Sequence, residues 1–190
     1  MLVGLALETI AGMSLERWAD LGTGSGAIAV ALSRAMPATP GHAVDLSPDA
    51  LALARTNLEA LAPKGKWHLH QGRWWEPLEP WWGHIDLVVC NPPYIPSDLI
   101  LNLDPVVRDH EPHLALAGGI DGLQAIREVV AGACRALAAG GWILIEHHHD
   151  QSAPVLNLLE QAGLSSIRAA RDLEGVNRFA LARRSLSPCS

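Results

Sequence analysis

The tetrapeptide Asn91-Pro92-Pro93-Tyr94 is the part of this sequence whose residue types most directly describe a chemistry. Two successive prolines fix φ, and Pro93 pushes Pro92 into extended backbone, so the Asn91 amide and the neighbouring carbonyls project at set positions. A planar –NH2 group has two donors, which the Asn91 side-chain oxygen and the Pro92 carbonyl can accept, leaving the nitrogen lone pair aimed at an electrophile. The Tyr94 ring can cover such a planar group and face a cation such as a sulfonium. A ligand-free proline turn would account for the prolines but not for the Asn and Tyr.

Two further features suit a ligand. In Asp20-Leu21-Gly22-Thr23-Gly24-Ser25-Gly26 three glycines alternate, which lets backbone approach a ligand and aims amides from a helix N-terminus. The spacing is Gly-x-Gly-x-Gly, not the Gly-x-Gly-x-x-Gly of nicotinamide-binding folds. Asp45 follows 19 positions beyond Gly26, near the interval at which an acidic residue accepts hydrogen bonds from ribose hydroxyls. Turn and acid together imply an adenosyl ligand and leave open which one.

These residues need a frame to hold them. The chain has 190 residues, 49% hydrophobic and 18% charged, a balance that excludes general disorder and suits one core. No apolar run reaches the roughly 20 residues of a membrane span, and no basic region precedes the apolar start. A soluble cytoplasmic protein is expected. Net charge −6 supplies no broad positive field, so direct nucleic-acid binding is not expected. Cys90, Cys134 and Cys189 are scattered and odd in number, which argues against a disulfide framework and a zinc site.

Short apolar runs at Trp18–Leu21, Ala43–Val44, Trp67–Leu69, Ile85–Cys90 and Trp142–Ile145 read as buried strands. Helical spacing lies between them, over Ala27–Ala35, Pro48–Leu61 and Gly122–Ala138. Ser47 caps the second of these ahead of Pro48, and Asp121 with Gln124 has capping-box spacing for the third. A helix over Ala153–Ala162 and strands at Ser166–Ala170 and Arg178–Ala182 complete the pattern. Such alternation predicts a doubly wound α/β domain with a mostly parallel sheet, the final strand pair free to be antiparallel, and ligands beyond the carboxyl ends of the strands. Residues 1–184 are expected to form the domain and 185–190 a flexible tail.

Asp20 to Gly26, Asp45 and Asn91 to Tyr94, in this order, resemble the class I S-adenosylmethionine methyltransferases that modify planar amino or amide nitrogens. Glu111-Pro112, Ala115-Leu116, Gly118-Gly119, Asp121-Gly122-Leu123, Glu146-His147, Asp150-Gln151, and Asp172-Leu173 with Arg178 narrow the likeness. They resemble the HemK/PrmC family, the glutamine methyltransferases of peptide chain release factors. The resemblance implies a Rossmann-like seven-stranded sheet with an antiparallel last strand. It implies methyl transfer from S-adenosylmethionine to the side-chain amide nitrogen of the glutamine in the Gly-Gly-Gln motif of class 1 release factors, in translation termination. It further implies cofactor contacts from Gly22, Thr23, Gly24, Ser25, Gly26, Asp45, Trp74 and Asn91. Substrate is implied to sit on Asn91, Pro92, Pro93 and Tyr94, with Asn91, Pro92 and Tyr94 catalytic.

The sequence departs from the family in two places. It begins with only a short helix ahead of the glycine turn, where the family has an N-terminal helical domain and a Pro-Arg-Pro-Glu-Thr-like segment. Before Trp74, where relatives are often acidic, it has Arg73, which leaves adenine to backbone or to Trp74 packing. Open alternatives are methylation of a ribosomal-protein glutamine or a nucleic-acid exocyclic amine, or a truncated cofactor-binding form without turnover. A monomer is expected. No metal is assigned, because His147, His148 and His149 point to alternating faces at a strand end. One member each of Trp74-Trp75 and Trp81-Trp82 is read as core or cofactor packing. His110, Glu111 and Glu146 are given no catalytic role.

Overall fold

Strand β1 (Trp18–Leu21) is buried along its whole length, as an apolar run without alternation demands when helices cover both faces of a sheet. The computed structural model describes residues 1–96 and 118–186. Helix α1 (Leu2–Thr9) precedes β1, and α2 (Ala27–Ala35), β2 (Gly41–Asp45), α3 (Pro48–Leu61) and β3 (Trp67–Gln71) follow it. After a 3₁₀ turn over Glu76–Trp81 come β4 (Ile85–Cys90), α4 (Gln124–Ala136), β5 (Leu137–Glu146), α5 (Ser152–Gln161), β6 (Ser165–Arg171) and β7 (Asn177–Arg183).

The seven strands form one sheet in the order β3-β2-β1-β4-β5-β7-β6, with β7 antiparallel to both its neighbours and the remaining pairs parallel. This is the predicted doubly wound architecture with its reversed last strand. One apolar cluster joins Leu21, Val88 and Ile143 to Ile126, Val130 and Leu159 of α4 and α5. The other joins Trp18, Leu87 and Leu144 to Ala6, Leu32 and Leu58 of α1, α2 and α3. Alternate residues of β1, β4 and β5 thus feed opposite layers, the period-two geometry of a strand.

Local signals held where the partner was local. Helices α2 and α3 have the predicted bounds, and Ser47 caps α3 by accepting the Ala50 N–H at 3.2 Å. They failed where the sheet intervened. The helix expected over Gly122–Ala138 ends at Ala136, because Leu137 enters the sheet opposite Ile85 and begins a ten-residue strand. The Asp121–Gln124 capping box does not form. Asp121 instead accepts the Leu123 N–H and pairs with Arg127, which holds its carboxyl down at about 2.

Cys90 is a free buried thiol, whereas Cys134 is disulfide-bonded, which corrects the expectation of an unpaired set; Cys189 lies outside the described residues. Of the expected tail, Ser185 and Leu186 lie beyond β7, and 187–190 are outside the described residues. Among the described residues no helix is long and apolar enough to cross a membrane.

Candidate active site

Strand register assembles the site. Leu21, the last residue of β1, pairs with Val44 on one side and with Cys90 on the other, and Cys90 pairs with Ile145. The next residues along these strands, Gly22, Asp45, Asn91 and Glu146, therefore emerge side by side at one edge. With β2 and β3 on one side of β1 and β4 and β5 on the other, this edge includes the switch point where such sheets bind ligands.

The glycine turn is held from both ends. Gly22 and Thr23 donate their N–H groups to the Val44 carbonyl, each at 2.9 Å, and the Gly26 N–H reaches the Thr23 carbonyl at 2.8 Å. Gly22, Gly24 and Gly26 all have positive φ (73°, 54° and 79°), the left-handed conformation that glycine adopts without the steric cost a Cβ brings. Asp45 joins the turn to α3: one oxygen accepts the Gly24 N–H at 2.8 Å, the other the Ser47 N–H at 2.9 Å. A carboxylate has about four lone-pair sites, so both oxygens can still accept from a diol.

Beneath the turn lies Asp20, fully buried, with one oxygen accepting from Thr23 Oγ1–H at 2.6 Å and the Ala29 N–H at 3.1 Å. Its other oxygen has no protein partner. Burial drives its pKa up to about 7 against the opposing hydrogen bonds. The sequence marked Asp20 only as a strand end; its load-sharing with Thr23 and Ala29 is a tertiary result.

Trp74 closes this half. A Cβ on Gly22 would stand 3.2 Å from the indole, which therefore lies against the bare glycine. The indole Nε1–H donates to Glu128 of α4 at 2.8 Å, and Arg73 forms two bonds of 2.8 and 2.7 Å to the same carboxylate. Of the tryptophan pairs, Trp75 is buried and donates to the Val129 carbonyl, while Trp81 and Trp82 pack partly buried against the core.

In the other half, Asn91 is exposed, Pro92 buried, and Pro93 and Tyr94 half-buried. Gln151, itself buried, donates to the Tyr94 carbonyl at 3.0 Å and accepts the His148 N–H at 3.0 Å. Gly122, at φ 72°, passes so close that a Cβ there would sit 2.3 Å from the Tyr94 carbonyl oxygen. Beside this turn is a cavity of about 550 Å³ lined by Tyr94, Pro96, Asp121, His148, Gln151 and Arg178. Arg178 pairs with Asp172 at 3.4 Å and opposes the upward push of burial on the Glu146 carboxyl.

The three histidines diverge. His147 is buried with Nδ1 against the His148 carbonyl, and His148 turns to Asp150 at 2.7 Å and to the Tyr94 ring. Among the described residues no group of three His, Cys, Asp or Glu side chains is arranged to hold a metal ion. His110, Glu111, Pro112, Ala115 and Leu116 lie outside the described residues. Glu128 and the bonding of Gln151 were not foreseen, since their partners are 54 and 57 residues away.

The fold is shared with solved methyltransferase structures of low sequence identity. A methyltransferase from Pyrococcus furiosus superposes with TM-score 0.68 at 14% identity, over 96% of this chain and 81% of that one. A ribosomal protein L11 methylase from Lactobacillus delbrueckii subsp. bulgaricus gives 0.62 at 18%, over 97% and 77%. Residues 4–100 match the methyltransferase small domain family, and the chain belongs to that family. It is 55% identical over 97% of its length to the release factor glutamine methyltransferase of Prochlorococcus marinus, covering 64% of that protein. The same-named protein of Streptomyces coelicolor is 40% identical over 97% of this chain and 65% of its own. The chain thus spans a little under two thirds of the length of these relatives.

Proposed function

We propose that this chain is the catalytic domain, residues 1–184, of a protein-glutamine methyltransferase. It would use S-adenosylmethionine to methylate the side-chain amide of the glutamine in the Gly-Gly-Gln motif of class 1 release factors, as a cytoplasmic monomer. The observation that carries this reading is the emergence of Asn91-Pro92-Pro93-Tyr94 at the same sheet edge as the glycine turn, through the pairing of Leu21 with Cys90. The relatives' names support the choice of acceptor.

The residues present fit the cofactor. Gly22 lacks the Cβ that would crowd the Trp74 indole, no atom lies within 4 Å of where a Cβ on Gly24 would stand, Asp45 retains acceptor capacity for ribose hydroxyls, and Trp74 offers a flat wall beside Gly22. When bound, S-adenosylmethionine supplies an electrophilic methyl on a sulfonium that leaves as a neutral thioether. This chain's own residues prepare the nucleophile. An amide nitrogen is weak because its lone pair is delocalised, so it must be polarised and aimed. The Asn91 side-chain oxygen and the Pro92 carbonyl accept its two N–H bonds, favour the positive charge that develops on nitrogen, and leave one face directed at the methyl. Tyr94 covers the amide plane, while the exposed Asn91 side leaves water within reach of the nitrogen. The surplus proton on nitrogen passes to water.

The test is incubation of the 190-residue chain with labelled S-adenosylmethionine and a release factor carrying Gly-Gly-Gln or Gly-Gly-Ala, followed by peptide mass analysis. Methyl on the glutamine alone is expected. Cofactor binding without transfer, or transfer to a ribosomal protein or an exocyclic amine instead, would overturn the release factor reading.

A further inference from the structure

Arg73 and Trp74 are consecutive, yet both send their side chains to a single carboxylate on a helix more than fifty residues away. Glu128 accepts Arg73 Nε–H on the oxygen that also accepts the Trp74 indole N–H, and Arg73 Nη2–H on the other. This is a bidentate guanidinium–carboxylate fork with an indole added. The Arg73 hydrogen bond holds the Glu128 carboxyl below its ordinary range, so it is ionised at neutral pH.

The fork has work to perform on backbone and ring alike. Trp74 lies at φ 46°, in the left-handed region that a bulky residue occupies only when its surroundings compensate. That conformation lays the indole on Gly22, where the turn has no side chain of its own. The ring could rotate away from so bare a surface were its N–H not fixed. The fork also neutralises Arg73, whose positive charge would otherwise stand next to a wall proposed to receive a cationic ligand.

The geometry points to Glu128 as a positioning residue for the cofactor: by fixing the Trp74 indole against Gly22 and neutralising Arg73, it sets affinity for the adenosyl end without touching methyl or acceptor. This rests on the reading of the glycine turn as an adenosyl site, and it deepens that reading by naming the residue that holds the Trp74 wall in place. Neither Trp74 nor Arg73 does this alone, because each points to Glu128.

The experiment measures binding of S-adenosylhomocysteine by calorimetry to the parent chain and to Glu128→Ala, Arg73→Ala and the double variant Arg73→Ala/Glu128→Gln, with circular dichroism and a thermal melt as controls. Glu128→Ala should weaken binding at least tenfold. Arg73→Ala should weaken it less than threefold, since the indole bond remains. The double variant should stay within threefold of Arg73→Ala, because the glutamine oxygen still accepts the Trp74 N–H and no guanidinium opposes its amide. On an acceptor peptide, Glu128→Ala should raise KM for S-adenosylmethionine and leave kcat at saturation within twofold of the parent. Glu128→Ala binding as tightly as the parent would overturn the proposal, and so would a kcat loss at saturating cofactor. Should Glu128→Ala fail to fold, the double variant decides: binding weaker than Arg73→Ala by tenfold would overturn it. A parent that binds no S-adenosylhomocysteine removes the adenosyl reading itself, whereas a parent that binds but does not methylate release factor leaves this inference standing.

Discussion

The glycine-turn half of the site, proposed to take the cofactor, and the Asn91–Tyr94 half, proposed to take the acceptor, are fastened in different ways. Around the glycine turn most fastenings are short in sequence or run between adjacent parallel strands: Thr23 to Asp20, Ser47 to Asp45, Gly22 and Thr23 to Val44. Around Asn91–Tyr94 they come from far along the chain, with Gln151 reaching the Tyr94 carbonyl and Gly122 pressed against it. A small ligand of fixed shape suits a turn built at one strand end. The Asn91–Tyr94 turn has a cavity beside it and is steadied by what packs behind it, as a turn proposed to receive a group on a second protein requires.

The sharpest way to separate the halves is Asn91→Ala. It should lower kcat about 100-fold, corresponding to about 3 kcal/mol of lost transition-state stabilisation, while S-adenosylhomocysteine binding, to which Asn91 is expected to contribute one contact, weakens only about threefold in calorimetry. Equal loss of cofactor binding would mean that the two halves are not separable.

Gln151→Glu keeps shape but replaces the donor facing the Tyr94 carbonyl by an acceptor. Urea unfolding should show about 2 kcal/mol lost, and kcat should fall while cofactor affinity holds. Stability and kcat both unmoved would mean that the Tyr94 turn does not depend on its distant support.

Asp45→Ala addresses the opposite half. Cofactor affinity should drop about tenfold, or about 1.4 kcal/mol, with kcat at saturation little changed, as steady-state kinetics can report.

The smallest effect concerns pH. Asp20 has a folded pKa raised to about 7, so the native state binds more protons than the unfolded chain between about 4 and 7, and its contribution to stability declines as pH rises through that window. His42 is lowered to about 4 by burial, and next by His70 and His68, so its contribution declines as pH falls from 6.5 towards 4. The two slopes oppose each other in the parent. Asp20→Asn should expose the slope of the histidines held down by burial, His42, His70 and His147, so that stability in urea unfolding rises from pH 5 to pH 6.5 by about 1 kcal/mol or more. A flat profile in this variant would show that these histidines are not held neutral by the fold.

Legibility follows the same division. The runs Trp18–Leu21 and Ile85–Cys90 match β1 and β4 residue for residue, and Pro48–Leu61 matches α3, because burial pattern and cap are properties of adjacent residues. The end of α4 could not be read, since Leu137 is apolar in either setting and only its pairing with Ile85 decides for strand. The capping box at Asp121 failed for a related reason: Arg127 and the Leu123 N–H compete for the same carboxylate.

By itself, the sequence determined the alternation of strand and helix, the glycine turn, the acid after β2 and the rigid Asn-Pro-Pro-Tyr turn, all of which are set by local backbone restriction and by apolar spacing. Tertiary structure alone decided that these features share one edge, that Glu128 fastens Trp74, that Gln151 fastens Tyr94 and that Asp20 is dry enough to hold its proton near neutrality. Each depends on residues brought together by strand order and helix packing, and on the water excluded when they meet, quantities that no local window of sequence contains.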